Sequence, residues 1–191
     1  MAPGECRGSP RHQPAHALPE ASALPGRGRA PRRGSTGGMM GDPSSFRTRT
    51  LTESDSLDFL AGRNIGRLAY LEGGLIEVRP VGYAASGDWI FGRLGPGRKT
   101  EALLRHRWVT FQVDEVRDHW NWRSVVLHGA LHFLDGMGGA AAAAARERAL
   151  VSLAAAIPGF GEPGDPGSFR DMIFGVEIQE ISGVEGYLEG A

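Results

Sequence analysis

The sequence contains very little cysteine and no long apolar run. Cys6 is the single cysteine in 191 residues, so the chain has no internal disulfide that would favour an oxidising compartment. The longest apolar run, residues 140–145, is far shorter than the ~20 residues that a membrane-spanning helix needs. No apolar segment of the kind found in secretory signals follows the early arginines. We therefore expect a cytoplasmic protein without a membrane anchor.

Lysine is nearly absent too, and the basic residues are unevenly distributed. Of 21 basic residues only Lys99 is a lysine, and the net charge of the whole chain is -1. Residues 1–49 contain eight arginines against Glu5, Glu20 and Asp42, whereas the rest of the chain has 13 basic against 19 acidic residues. The part that we expect to fold is therefore acidic, which argues against a nucleic-acid-binding surface on it.

The composition divides the chain into a tail, residues 1–45, and a folded domain, residues 46–191. The tail is rich in Pro, Gly, Arg and Ser and has no apolar periodicity, so it cannot bury enough apolar surface to order itself. We predict that it is disordered and solvated, with contact to nucleic acid or anionic lipid as the alternative. Met39 and Met40 precede the domain and offer another translation start.

Hydrophobic periodicity after residue 51 predicts a mainly β domain. Thr52 and Asp55 have the spacing of a capping box and predict a helix that ends near Gly62. About five strands with hairpin signals between them follow. The other predicted elements are a short helix over residues 99–107, a longer helix over 140–157 and a last strand over 172–181. This order predicts an antiparallel barrel or a strongly curled sheet.

Three cations surround a glycine-rich turn: Arg93, Arg98 and Lys99 flank residues 95–97. Glycine allows close approach to the backbone, and the start of the following helix favours an anion. Arginine adds a planar fork for phosphate oxygens and lysine adds a point charge. A surface turn with solvated cations is an equally good interpretation of the residues alone. The segment is not a P-loop, because the Gly-Lys-Ser/Thr spacing is missing.

Other polar and aromatic side chains give weaker signals. His128 and His132 lie four residues apart, but in a strand they would be ~13 Å apart, too far for one metal ion. Solvated or strand-face histidines are the better interpretation. Trp120 and Trp122 could stack on a planar ring, or they could cap the barrel or fill a subunit interface. We predict no metal site and no catalytic side chain.

Several motifs in order resemble the pyridoxamine 5'-phosphate oxidase-like family, in particular its nitroimidazole-resistance and general-stress branch. They cover residues 51–135 well and the last strand loosely. The matching segments are residues 66–69, 78–81, 90–93, 97–99, 109–115 and 122–129. The resemblance implies a six-stranded antiparallel split β-barrel with flanking helices. It also implies a homodimer that binds FMN between its subunits and acts on a small molecule.

The same resemblance implies roles for individual residues. Arg79, Pro80 and Val81 would line the flavin ring, and Trp122 and Ser124 would lie near it. The cations Arg93, Arg98 and Lys99 would bind the FMN phosphate.

The chain departs from the family pattern in places, and this limits the functional prediction. Leu94 stands where the nitroimidazole-resistance branch often has threonine, and the C-terminal Trp and Arg signature for vitamin B6 substrates is missing. We therefore expect an FMN-dependent oxidoreductase whose substrate the sequence does not give. The alternatives are a deazaflavin- or haem-binding protein, with His128 or His132 recruited for haem, and a flavin-binding module without catalysis.

Overall fold

A computed structural model shows the fold, and it describes residues 46–136 and 138–189. The predicted disordered tail, residues 1–45, lies outside the described residues. The elements in chain order are β1 (Phe46–Thr50), α1 (Glu53–Ala61), β2 (Ile65–Glu72), β3 (Leu75–Ser86), β4 (Trp89–Leu94), α2 (Arg98–Arg105), β5 (Trp108–Val116), β6 (Trp122–Phe133), α3 (Ala140–Ala156) and β7 (Met172–Leu188).

Helix α1 begins with the capping box that the sequence predicts. The Thr52 hydroxyl accepts a hydrogen bond from Asp55 N at 3.1 Å, and the Asp55 carboxylate accepts one from Thr52 N at 3.3 Å. Two N–H groups that the helix start would leave without acceptors are thereby satisfied. Because the helix also buries Phe59 and Leu60 against the sheet, it covers one end of the barrel.

The seven strands form one antiparallel sheet in the order β1-β7-β4-β3-β2-β5-β6, and β6 pairs with β7 as well. This last pairing joins six strands into a ring, with β1 added at the edge of β7. The predicted six-stranded split barrel with flanking helices is confirmed. Residues of each strand alternate between the barrel interior and its outer face.

Two boundaries differ from the sequence prediction. The added strand β1 was missed because all five of its side chains are exposed and therefore show no alternating pattern. Strand β7 continues beyond the predicted end at residue 181 as far as Leu188. Gly183 and Gly186 lie in the extension and lower its apparent strand propensity. The extension pairs with β1 and with the start of β6.

Two apolar cores stabilise the domain. The larger core fills the barrel with fully buried side chains such as Leu68, Phe111 and Leu127. The smaller core lies on the outer face, where α3 packs Leu153 against Phe91. Burial of each leucine contributes ~1.5–3 kcal/mol relative to exposure. In the part of the chain that the structure describes, no helix has both the length and the apolar character to cross a membrane.

The ring of strands is incomplete along β3. Strand β4 pairs with β3 only at residues 83–86, whereas β2 pairs with β3 over residues 75–82. The first half of β3 therefore has a neighbouring strand on one side only. Helix α2 follows directly after β4, so the open edge of β3 and the start of α2 lie at the same end of the barrel.

Candidate functional site

The start of α2 presents backbone N–H groups that have no acceptor within the helix. Gly97 caps this helix with φ +141°, a conformation that favours glycine, and no side chain caps it. The first helical bond runs from Glu101 N to Gly97 O at 3.0 Å. The Thr100 hydroxyl donates to Gly95 O at 2.7 Å and fixes the preceding turn. The first turn of α2 can therefore donate several hydrogen bonds to an anion.

Lys99 lies in this first turn, half-buried and surrounded by positive charge. Burial lowers the pKa of Lys99, and the charges of Arg170 and then Arg79 lower it further. Among residues 46–136 and 138–189, no carboxylate forms an ion pair with Lys99. This ammonium group therefore has no carboxylate partner among the described residues, and an anionic ligand would supply one.

Arg79 and Arg98 lie close to Lys99, and each has a weakly held carboxylate partner. Arg79 contacts Glu77 at 2.7 Å, and Arg98 contacts Glu72 at 2.7 Å with its own side chain 87% exposed. Exposed ion pairs of this kind contribute little, so both guanidinium groups can exchange their partners for a phosphate. We call Arg79, Arg98 and Lys99 the α2 cluster, which has three positive charges against two negative ones.

Arg93, one of the three predicted phosphate contacts, is paired with a buried carboxylate in the structure. Both terminal nitrogens of its guanidinium donate to Asp165, with Nη2 at 2.8 Å from Oδ1. The side chains are only 12% and 3% exposed. Hydrogen bonds from Arg93, and then from the N–H groups of Gly161 and Gly167, lower the pKa of Asp165. The guanidinium is thus already occupied, because a buried carboxylate requires its charge to be compensated.

Pro80 and Val81 lie on β3 and point to opposite faces of the sheet. Val81 is buried in the barrel core, whereas Pro80 is exposed. Tyr83 N donates to Asn64 O at 2.9 Å, so Tyr83 and alternate residues before it bond to β2. The backbone of Pro80 therefore faces the open edge, where a proline is tolerated because no strand needs its N–H.

Trp122 and Ser124 lie on β6, away from the α2 cluster of the same chain. Strands β2 and β5 separate β6 from β3, which puts β6 ~14 Å away along the sheet. Ser124 Oγ accepts a hydrogen bond from Gln112 Nε2 at 3.3 Å, and the Trp122 ring packs over Gly186. One chain therefore brings together Arg79, Arg98 and Lys99 but not the two β6 residues.

Exposed apolar side chains cover part of the outer face of the sheet. Leu71, Ile76, Val78 and Trp108 are exposed to 38%, 77%, 49% and 64%. By strand alternation and register they share this face with Ser124. Helix α3 covers another part of the outer face, around Ala84, Phe91 and Ile173. A contiguous apolar surface of this kind is typical of a protein–protein interface.

His128 and His132 have separate surroundings in the structure. His128 is exposed, and its Nδ1 lies 3.0 Å from the Thr110 hydroxyl. His132 lies beside Trp89 with ring centroids 5.8 Å apart, and its buried Nε2 has no hydrogen-bond partner in the described structure. Within residues 46–136 and 138–189, no three metal-binding side chains of His, Cys, Asp or Glu come together.

A cavity of about 240 Å³ lies at the opposite end of the barrel. Its lining includes Arg63, Arg117 and Arg123, and their carboxylate partners are Glu115 and Glu185. Glu185 also contacts Arg49 at 2.7 Å. Burial raises the pKa of Glu185, but hydrogen bonds from Arg49 and Arg123 outweigh it, so this pKa lies below its usual value. We call these arginines and glutamates the barrel-mouth network.

Sequence reasoning missed three residues around the α2 cluster. Glu72 and Glu77 contact Arg98 and Arg79, and Arg170 affects the pKa of Lys99. The two glutamates lie in the β2–β3 hairpin, and the register of that hairpin could have indicated them. Arg170 lies in the Gly/Pro-rich segment before β7, where the sequence has no periodicity that would place it.

Solved structures of other proteins have the same fold. An FAD-binding protein from Mesorhizobium loti superposes with a TM-score of 0.58 and 29% identity, over 72% of this chain and 97% of that chain. A proposed 5-nitroimidazole antibiotic resistance protein from Bacteroides thetaiotaomicron gives 0.56 and 17%, over 77% and 92%. A heme binding protein from Mycobacterium smegmatis gives 0.52 and 18%, over 69% and 53%. The last two likenesses show the fold alone.

The sequence itself also matches a family model. No protein with a curated description is similar enough to this chain to give a match. The model described as pyridoxamine 5'-phosphate oxidase matches residues 52–184, which is more than half of the chain. This range includes the α2 cluster, the open edge of β3 and most of β7. The chain therefore belongs to the pyridoxamine 5'-phosphate oxidase family.

Proposed function

We propose that this protein binds FMN, with the phosphate at the α2 cluster, and that it is an FMN-dependent oxidoreductase. The observation that carries the proposal is the half-buried Lys99, which lies beside Arg79 and has no carboxylate partner in the described structure. A phosphate monoester would accept hydrogen bonds from Lys99, from Arg98 and from the first turn of α2. The FAD-binding relative from Mesorhizobium loti supports a flavin as the ligand.

The open edge of β3 fits a flat heteroaromatic ring with hydrogen-bonding groups at its rim. The backbone of Pro80 faces this edge, and the edge begins next to the cations that would bind the phosphate. Bound FMN would supply the electron-transfer chemistry. The described side chains would bind, orient and shield it, and we assign no acid or base to the protein.

We propose that the biological unit is a homodimer, formed through the exposed apolar face that contains Leu71, Ile76 and Val78. A second copy on this face would remove the exposed side chains from water and bring Trp122 and Ser124 of the partner subunit toward the open edge of β3. In such a dimer, the β6 residues of one subunit would lie near the α2 cluster of the other. The predicted cytoplasmic location remains a prediction.

The spectrum of protein purified without added cofactor tests the ligand. We expect flavin absorption, and we expect the mass of FMN for the molecule released on denaturation. A Soret band would instead identify haem, and His132, a half-buried histidine on the outer face, would then be its proposed ligand. The mass of FAD or of a deazaflavin would show that the cofactor is not FMN. If the protein has no chromophore and does not bind added FMN, the proposal is wrong.

Light scattering during size-exclusion chromatography tests the dimer. Val78→Asp places a charge on the apolar face, so we expect the variant to be monomeric and to bind FMN more weakly. Val151→Asp is the matched control, because Val151 is 66% exposed but lies on α3. A wild-type chain that is monomeric with FMN bound would contradict the proposed interface.

A further inference from the structure

The segment between α3 and β7, residues 157–171, is anchored to the barrel by the Arg93–Asp165 pair. Asp165 accepts from Arg93 and also from the N–H groups of Gly161 and Gly167, at 2.9 and 2.8 Å. Four hydrogen bonds from three residues thus converge on one buried carboxylate. Because two of the donors belong to the segment and Arg93 belongs to β4, the pair fixes the segment against the sheet.

Packing around Arg93 adds to this anchor. The Phe160 ring lies 4.7 Å from the guanidinium carbon of Arg93, a cation–π contact between the segment and β4. Gly167 lies so close to the guanidinium that a Cβ at this position would clash with Arg93 Nη2. A side chain there would displace Arg93, so the glycine permits the contact. Arg93 thereby contacts the segment at three residues.

The anchored segment ends next to the turn that precedes α2. A Cβ on Gly95 would lie 3.3 Å from Phe169 O and 3.8 Å from Arg170 Cγ. Arg170 N donates to Gly167 O at 2.9 Å, and the Arg170 guanidinium lies 4.8 Å from the Phe169 ring. The backbone of Arg170 is therefore bonded to Gly167, which itself donates to Asp165. Arg170 lies beside the glycine turn and has no carboxylate partner in residues 46–136 and 138–189.

The position of Arg170 matters because it adds positive charge next to the α2 cluster. Arg79, Arg98 and Lys99 exceed Glu72 and Glu77 by one positive charge. Arg170 adds a further positive charge beside the glycine turn, where it would attract a phosphate monoester dianion. We propose that Arg170 is a fourth phosphate-binding cation, and that Arg93 is a positioning residue that acts through Arg170 by holding the segment in place.

This inference rests on the proposed function, and one variant tests its first half. Arg170→Ala should weaken FMN binding about tenfold, which is ~1.4 kcal/mol, and should leave riboflavin binding unchanged. The dependence of FMN affinity on salt should become shallower, because one cation is lost. Arg105→Ala is the matched control, since Arg105 is an exposed arginine at the other end of α2. Unchanged FMN affinity in Arg170→Ala, or equal loss of both ligands, would overturn the role of Arg170.

Asp165→Asn tests the second half, because the two possible roles of Arg93 predict opposite changes in FMN affinity. If Arg93 positions Arg170, weakening the anchor should lower FMN affinity, with no further loss when combined with Arg170→Ala. If Arg93 binds phosphate itself, releasing it from Asp165 should leave FMN affinity equal or higher, which would overturn the positioning role. Failure of the wild-type chain to bind FMN would instead be a failure of the proposed function. Because Arg170 is exposed, Arg170→Ala should fold even if Asp165→Asn does not, and it then tests the proposal by itself.

Discussion

The two ends of the barrel contain similar numbers of arginines in opposite electrostatic situations. At the barrel mouth, Glu115 contacts both Arg63 and Arg117, while Glu185 contacts both Arg49 and Arg123. Asp55 and Asp58 line an adjoining cavity, so the acidic and basic residues balance. At the α2 cluster, Lys99 has no such partner among the described residues, and the pKa of Lys99 is lowered.

The difference shows that arginine content alone does not identify an anion site. A cation whose charge is already compensated contributes to structure, and it must give up its partner before it can bind a ligand. Strand β2 separates the two regions, because Arg63 precedes its start and Glu72 ends it, ~26 Å away. The position of uncompensated charge therefore distinguishes the candidate site from the cavity at the other end.

Removing both cations of the α2 first turn should have the largest effect. We expect Arg98→Ala with Lys99→Ala to weaken FMN binding by roughly 2–4 kcal/mol, since charged hydrogen bonds contribute ~1.5–3 kcal/mol each and do not add fully. Fluorescence titration with FMN measures the change. Arg63→Ala with Arg117→Ala removes two charges from the barrel-mouth network and should leave FMN affinity unchanged. Equal losses in the two double variants would erase the contrast between the two ends.

Arg93→Met should show that a compensated arginine acts on stability. The change leaves the buried Asp165 carboxylate without its cation, so we expect Tm to fall by about 5–10 °C. Arg117→Ala is the matched control, because the Arg117 side chain is 77% exposed and its pair with Glu115 contributes little. Calorimetry measures both values. A Tm for Arg93→Met equal to that of the wild type would mean that the anchor does not stabilise the segment.

A smaller effect should appear in the pH dependence of binding. Because the pKa of Lys99 lies below 10.5, this side chain loses its charge earlier than an ordinary lysine as pH rises, and FMN affinity should fall several-fold. Lys99→Arg retains its charge and should flatten the profile. Riboflavin titrated over the same range controls for ionisation of the flavin ring. Parallel FMN profiles for the wild type and Lys99→Arg would remove Lys99 from the site.

Much of the fold was predictable from local patterns. The Thr52–Asp55 capping box, the alternation in β5 and the alanine-rich α3 each follow from neighbouring residues and are confirmed. Strand β1 and the end of β7 were missed, because exposed side chains and glycines leave no periodic signal. Tertiary pairing between these two strands determines them instead.

The site was predictable only in part, for a related reason. The glycine turn before Arg98 and Lys99 was visible as a motif, since its parts are adjacent in sequence. Arg93 belongs to the same motif, but its partner Asp165 is 72 residues away, and only the packing of the segment against β4 brings them together. The sequence cannot show whether a cation is already compensated, and that property separates Arg93 from Lys99.

Comparing FMN with riboflavin on the wild-type chain tests the central claim most directly, because the two ligands differ only in the phosphate. Uncompensated charge at the start of α2 predicts that FMN binds more tightly by a factor on the order of 100 or more, and that salt reduces this preference. Equal affinities for FMN and riboflavin at low salt would contradict a phosphate site at Arg98 and Lys99.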